Sequence, residues 1–167
     1  MTQPNVDAPV PSEDRREERA ASSEELTRLS DSHPIVLFDG VCNLCNSSVQ
    51  FIIDRDPHAQ FRFAPLQSEV GETLRAAHEI PEELDSIVLI DGGRPYWKSS
   101  AALRVARRLQ GAWSLLFALI VIPAFLRDAI YGWIARNRYR WFGREDACRL
   151  PSPELEERFL QMDPIGS

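Results

Sequence analysis

Only three cysteines, Cys42, Cys45 and Cys148, occur among 167 residues, too few for a mini-protein held together by disulfides. Lys98 is the one lysine against eighteen arginines, a compositional habit of the coding genome and no sign of function. The basic residues are outnumbered, 19 against 25, and the net charge of -6 argues against a nucleic-acid binder. There is also no apolar stretch of the roughly 18–20 residues that a membrane span needs. The fifteen uncharged residues Ala112–Leu126 fall short of that length and are broken by Pro123. What is present is ordinary for a globular chain: 44% hydrophobic and 26% charged residues. The length suits one domain with a tail.

Residues 1–31 hold eight acidic and four basic side chains and no apolar run of signal-peptide length. Such a segment buries too little apolar surface to offset its chain entropy. The expectation is a disordered tail over 1–31 with a transient helix around Glu13–Leu29, and a cytoplasmic location. Structural disulfides are rare there, so paired cysteines point to catalysis, redox sensing or metal binding.

The folded domain is expected over 32–151, followed by a partly helical tail over 152–167. Pro34–Asp39 reads as a buried strand, Asn43–Asp54 as a helix, Phe61–Leu66 as a second strand and Ser68–His78 as a short helix. Ser86–Asp91, the turn Gly92-Gly93 and Arg94–Lys98 read as a β-hairpin. Ser99–Leu109 reads as an amphipathic helix. The order βαβαββα implies a layered α/β domain. Residues 111–149 form a helical extension. Its apolar part is expected to be a buried helix or helical hairpin. Its mixture of aromatics and arginines leaves open a peripheral contact with a membrane or a membrane protein through 111–142.

The chemistry concentrates in Asp39-Gly40-Val41-Cys42-Asn43-Leu44-Cys45. A Cys-x-x-Cys follows a strand and opens a helix. Unpaired amides and the helix dipole at that terminus favour a thiolate. Cys45, one turn on, is placed to reach Cys42. Cys42 is then the nucleophile that attacks a substrate disulfide, and Cys45 resolves the mixed disulfide. Other uses of the same residues stay open. Cys42, Cys45 and Cys148 could be thiolate ligands of zinc, although His33, His58 and His78 show no ligand spacing. The pair could also be packing thiols or a static bond.

The segments DGVCNLC, WKSSAALRVARRL and RDAIYGWIARNRYRWFGREDACRLP, in that order, resemble the DCC family of thiol-disulfide oxidoreductases, named for an Asp-x-x-Cys-x-x-Cys motif. Here the motif is Asp39, Cys42 and Cys45, and the likeness spans about 34–151. It implies a thioredoxin-like fold and redox activity without a bound cofactor, recycled by an external thiol or disulfide partner, either a protein or a small thiol. Thioredoxins carry a cis-proline before the strand that faces the cysteines. Ser86 stands near that position here, and Pro65 ends the preceding strand.

Other residues have two readings each. Asp39 caps the turn through backbone amides or serves as general base for Cys45. Gly40 supplies a permissive backbone. Ser99 and Ser100 cap the helix that follows or bind an anion or substrate peptide. Cys148 is a packing thiol or a third redox thiol.

Overall fold

A computed structural model describes residues 13–84, 86–143 and 158–160, with side chains from residue 23 onward. Helix α1 (Glu13–Ser32) precedes the run β1 (Ile35–Phe38), α2 (Asn43–Asp54), β2 (Arg62–Pro65), α3 (Glu69–Ala77), β3 (Val88–Asp91), β4 (Arg94–Trp97) and α4 (Lys98–Arg108). A 3-10 helix (Ala112–Val121) and α5 (Ala124–Phe142) follow. The expected βαβαββα order is present. The sheet order is β2-β1-β3-β4, with β1 parallel to β2 and antiparallel to β3. This is a thioredoxin-like layered domain.

β1 is apolar on both sides because both faces of the central strands are covered. Val36 and Phe38 join Val49, Ile52, Phe63, Leu89 and Val105 in one core, under α2 and α4. Ile35 and Leu37 join Leu66, Val70, Leu74, Val88 and Ile90 in the other, under α3. Helix α3 starts where Ser68 Oγ accepts from Gly71 N at 3.0 Å, with Glu69 and Glu72 on its positive end. The β3–β4 hairpin turns on Gly92 and Gly93, both at positive φ (57° and 70°), as a two-residue loop with this twist demands. The residues that follow the cysteine helix pack the same way: Asp56, fully buried, accepts from Phe61 N and Arg158. Phe159 bridges to Phe63 at the β2 edge.

Three expectations differ from the structure. The segment before residue 32, expected to be a solvated tail, is helical from Glu13, and its last turns pack. Leu26 and Leu29 sit against the second core, and Ser30 is fully buried. Gly93 N donates to Ser30 O at 3.3 Å, so α1 ends on the hairpin turn. Two leucines within a charged sequence were enough to dock it. The apolar segment 112–126, expected to be buried, is mostly at the surface: the 3-10 helix has no buried residue. Apart from Trp97, every exposed large apolar side chain among the described residues lies between Trp113 and Phe142. The two-core sheet is already covered, so no face is left to take these residues in. Finally, Ser99 and Ser100 do not cap α4. Its N-cap position is Trp97, without a side-chain bond, and Lys98 takes φ 54°. No helix of the described residues is long and apolar enough to cross a membrane. No peptide bond among them is cis.

Replacing Leu29 by Ala is expected to lower stability by about 1–2 kcal/mol, because the side chain is only half-buried. Urea denaturation measures this, and an unmoved midpoint would mean that α1 does not dock.

Candidate functional site

Asp39 follows the last residue of β1, and the chain turns into α2 over the four residues 39–42. Asp39 Oδ1 accepts from Val41 N at 3.1 Å, and Asp39 O accepts from Cys42 N at 3.3 Å. The capping reading of Asp39 therefore describes its first contact. Gly40 is not in the left-handed region, so its conformational freedom is not what the turn uses. Its backbone matters instead: Gly40 N donates to Gln67 Oε1 at 3.2 Å, and Gly40 O accepts from Asn46 Nδ2 at 3.1 Å. Gln67 Nε2 also donates to Asp39 Oδ1 at 2.8 Å. One glutamine from the end of β2 thus clamps the turn on both sides.

Asp39 is 3% exposed, and a buried carboxylate needs a counter-charge. α5 supplies it. Arg138 NH2 donates to Asp39 Oδ2 at 3.0 Å, and Tyr139 Oη donates to the same oxygen. Arg138 is itself buried, at 5%. Burial alone would raise the Asp39 pKa. The bonds from Tyr139, Gln67 and Val41 and the charge of Arg138 outweigh it and hold the carboxyl below the usual aspartate range. A carboxylate with this many donors is poorly suited to take a proton from Cys45. The geometry favours a positioning part for Asp39.

Both cysteines are free thiols. Cys42 occupies the N-cap of α2 in extended conformation (φ -94°, ψ 116°), where the unpaired amides of the first turn converge. It has no exposed surface, whereas Cys45 is half-buried. Burial first, then the neighbouring Cys42 thiol, pushes the Cys45 thiol up to about 12. Cys45 therefore keeps its proton at neutral pH. Arg138 acts on Cys45 in the opposite sense, lowering its pKa by charge. Asn43, between the cysteines, donates to Phe142 O at 3.0 Å and holds the end of α5. That end is closed by Gly143 at φ 78°, whose N–H returns to Tyr139 O at 3.0 Å.

Beside Cys45 lies an open cleft of about 530 Å3. Its walls come from α2, α4, the 3-10 helix and α5, and its lining is overwhelmingly apolar. Tyr131 enters it with its hydroxyl accepting from Ile87 N at 3.2 Å, and burial pushes this phenol up to about 12. Ser99 lies elsewhere, between α4 and α5. Its Oγ donates to Asp128 and accepts from Arg127 NH1 at 3.1 Å. It ties two helices and does not face the thiols' partners. Ser100 lies in the first turn of α4. Cys148 falls outside the described residues. Among the described residues no group of three or more His, Cys, Asp or Glu is placed to hold a metal ion.

A family model for DCC1-like thiol-disulfide oxidoreductase matches residues 36–144, which include the whole site. The chain belongs to the DCC1-like thiol-disulfide oxidoreductase family. It is 49% identical over 127 residues to the uncharacterized protein YuxK of Bacillus subtilis (strain 168), covering 75% of this chain and 93% of that one. It is 43% identical over 122 residues to a chloroplastic DCC family protein of Arabidopsis thaliana, covering 72% of this chain and 71% of that one. No solved structure matches the chain.

Gln67, Arg138 and Tyr139 were not found by reading the sequence for chemistry. Arg138 is one of several arginines in an aromatic, basic run and has no local signal. The run as a whole was one of the three segments that carry the family resemblance. The buried Asp39 is the clue that it must contain a partner.

Arg138→Gln is expected to cost about 3–5 kcal/mol, the usual penalty of stranding one member of a buried ion pair. Equilibrium urea denaturation measures it, and a loss below about 1 kcal/mol, the scale of an exposed pair, would mean that the pair is not closed in solution. The pH dependence has a definite sign. The folded pKa of Asp39 is depressed, so its contribution is fully present above the unfolded value. It is lost as pH falls through the folded one. Asp39→Asn should therefore be less stable at neutral pH and show a flatter loss of stability in acid. An acid limb identical to that of the wild type would remove Asp39 as its source.

Proposed function

We propose that the protein carries out dithiol–disulfide exchange through Cys42 and Cys45, with Cys42 as nucleophile and Cys45 as resolving thiol. The observation that supports this most directly is a pair of free thiols one helical turn apart at the start of α2. Family membership points the same way. The Cys42 thiolate attacks a substrate disulfide, forms a mixed disulfide and releases one substrate thiol. Cys45 then gives up its proton and attacks Cys42 Sγ, releasing the second. The pair loses two electrons and the substrate gains them. Because Cys42 has no exposed surface, attack requires local opening of the turn over 39–42. The Asp39 clamp sets how costly that opening is. Recycling falls to an external thiol or disulfide partner, with no bound cofactor.

A redox titration of the pair, read by thiol alkylation and mass spectrometry, tests the reading. Cys45 is not stabilised as a thiolate, so the pair should be reducing, at roughly -200 to -300 mV. A pair that never forms a reversible bond would overturn the proposal. A shifted midpoint in Cys148→Ser would bring the third cysteine into the cycle. The order of attack has its own check: Cys45→Ser should trap a mixed disulfide at Cys42. Trapping only in Cys42→Ser would reverse the two roles.

A further inference from the structure

The cleft beside Cys45 has the composition of a ligand site, and its chemistry narrows the ligand. Its volume of about 530 Å3 suits a small organic molecule. Its walls are side chains such as Phe51, Ala102, Val105, Trp113 and Ile134, drawn from helices. Helices offer no free backbone edge to a peptide, and the few polar groups of the lining are largely engaged. Ser48 Oγ donates to Leu44 O at 2.7 Å, and Arg138 is bound to Asp39. A glutathione-like tripeptide or a phosphate-bearing nucleotide would bring charges for which such a lining has no match. Ser47, exposed at the rim, and Tyr131, further in, are the exceptions; the Tyr131 hydroxyl is the more buried of the two. Its oxygen accepts from Ile87 N, it keeps its proton, and that hydrogen has no acceptor among the described residues. The inner part of the cleft thus presents the Tyr131 O–H donor, one thiol and apolar walls, with Ser47 at its rim. An apolar ring that carries a carbonyl oxygen satisfies all three.

The surroundings show where such a molecule comes from. α5 is tied to the domain by polar contacts and leaves much of its apolar surface uncovered. The residues that pin it to the domain are polar: Asp128 to Ser99, Tyr131 to Ile87, Arg138 to Asp39. Their spacing of three and seven puts them on one face. Most of the outward side chains are apolar, with Phe125 72% and Ile130 64% exposed, alongside the exposed Arg136 and Arg140. Leu115 and Val121 of the 3-10 helix are 74% and 84% exposed. The same two elements wall the cleft, so it is continuous with a surface suited to lipid.

We infer that this cleft binds a lipid-soluble quinone, which takes two electrons from the Cys42–Cys45 dithiol. The inference rests on the exchange reading above and runs it in the opposite direction: once the quinone has oxidised the pair, the Cys42–Cys45 disulfide takes two electrons from a substrate dithiol, which restores the two thiols. The Cys45 sulfur, on the cleft wall, adds to the quinone ring. Cys42 then attacks Cys45 and displaces the reduced ring. Two S–H bonds are lost and one S–S bond forms. The two protons and two electrons appear on the two oxygens of the quinol.

The probe is a decyl-benzoquinone with a fully substituted ring, on which a sulfur adduct has no ring hydrogen to lose and so cannot persist as an aryl thioether. Binding is measured on the full chain carrying Cys42→Ser and Cys45→Ser, by quenching of tryptophan fluorescence, with decanol as a chain-only control. Saturable quenching by the quinone, weakened in Tyr131→Phe while decanol is unaffected, is the expected result. Reduced protein with both cysteines should then lose its two thiols as one quinol forms. Ala102→Phe, at an exposed position of the wall, should slow this by about tenfold or more through crowding of the cleft. Ala135→Leu replaces it if that variant does not fold. Absence of quenching, binding without thiol loss, an undiminished rate in the filled cleft, or faster oxidation by lipoamide than by the quinone would each overturn the inference. If the pair still titrates reversibly against a small disulfide, only the quinone is lost. If it does not, the exchange reading fails as well.

Discussion

The buried pair of Asp39 and Arg138 joins the turn before the cysteines to a helix ninety-nine residues further along the chain. Neither charge is tolerable there without the other. Asp39 fixes Val41 N and, through Gln67, Gly40 N, so the entry to α2 is set by this carboxylate. Arg138 in turn fixes α5, which has no other buried residue. Removing the pair would therefore loosen both the cysteine turn and one wall of the cleft. The same guanidinium lies close enough to act on Cys45 by charge. Structure and thiol chemistry depend on one contact.

That dependence gives the Asp of the Asp-x-x-Cys-x-x-Cys motif a physical meaning. A carboxylate beside a thiol opposes its ionisation, and Asp39 does act on Cys45 in that sense. Its neutralisation by Arg138 and Tyr139 limits the harm. What remains is a rigid scaffold that presents the amide end of α2 to Cys42. Tyr139 adds to the lock by contacting both charges.

The layered core was legible in the sequence because each strand is a short apolar run closed by a turn signal. PIVLFD and SIVLID needed no tertiary information, and Gly92-Gly93 announced the hairpin. The cysteine pair was equally plain, since its meaning lies in spacing and in its place after β1. Other features depended on contacts far apart in the chain. A serine ahead of an amphipathic helix looks the same whether it caps the helix or, like Ser99, is buried against Asp128. Leu26 and Leu29 gave too sparse a pattern to outweigh the charges around them. Gln67 lies between a strand and a helix and resembles any loop residue until Asp39 is placed beside it.

The apolar segment after α4 shows why hydrophobicity alone misleads. A run such as AWSLLFALIVIPAFL states what would gain from leaving water; it does not state what will cover it. Here the sheet already has both faces filled, and α5 turns its polar residues inward to reach Ser99, Ile87 and Asp39. With these polar residues facing in, the apolar side chains of α5 are left to the cleft wall and the surface. The exposed apolar side chains of α5 thus accompany the ion pair that fixes the cysteines. The site and the exposed apolar surface cannot be separated: the contact that holds Cys42 in place also fixes the helix that carries that surface beside Cys45.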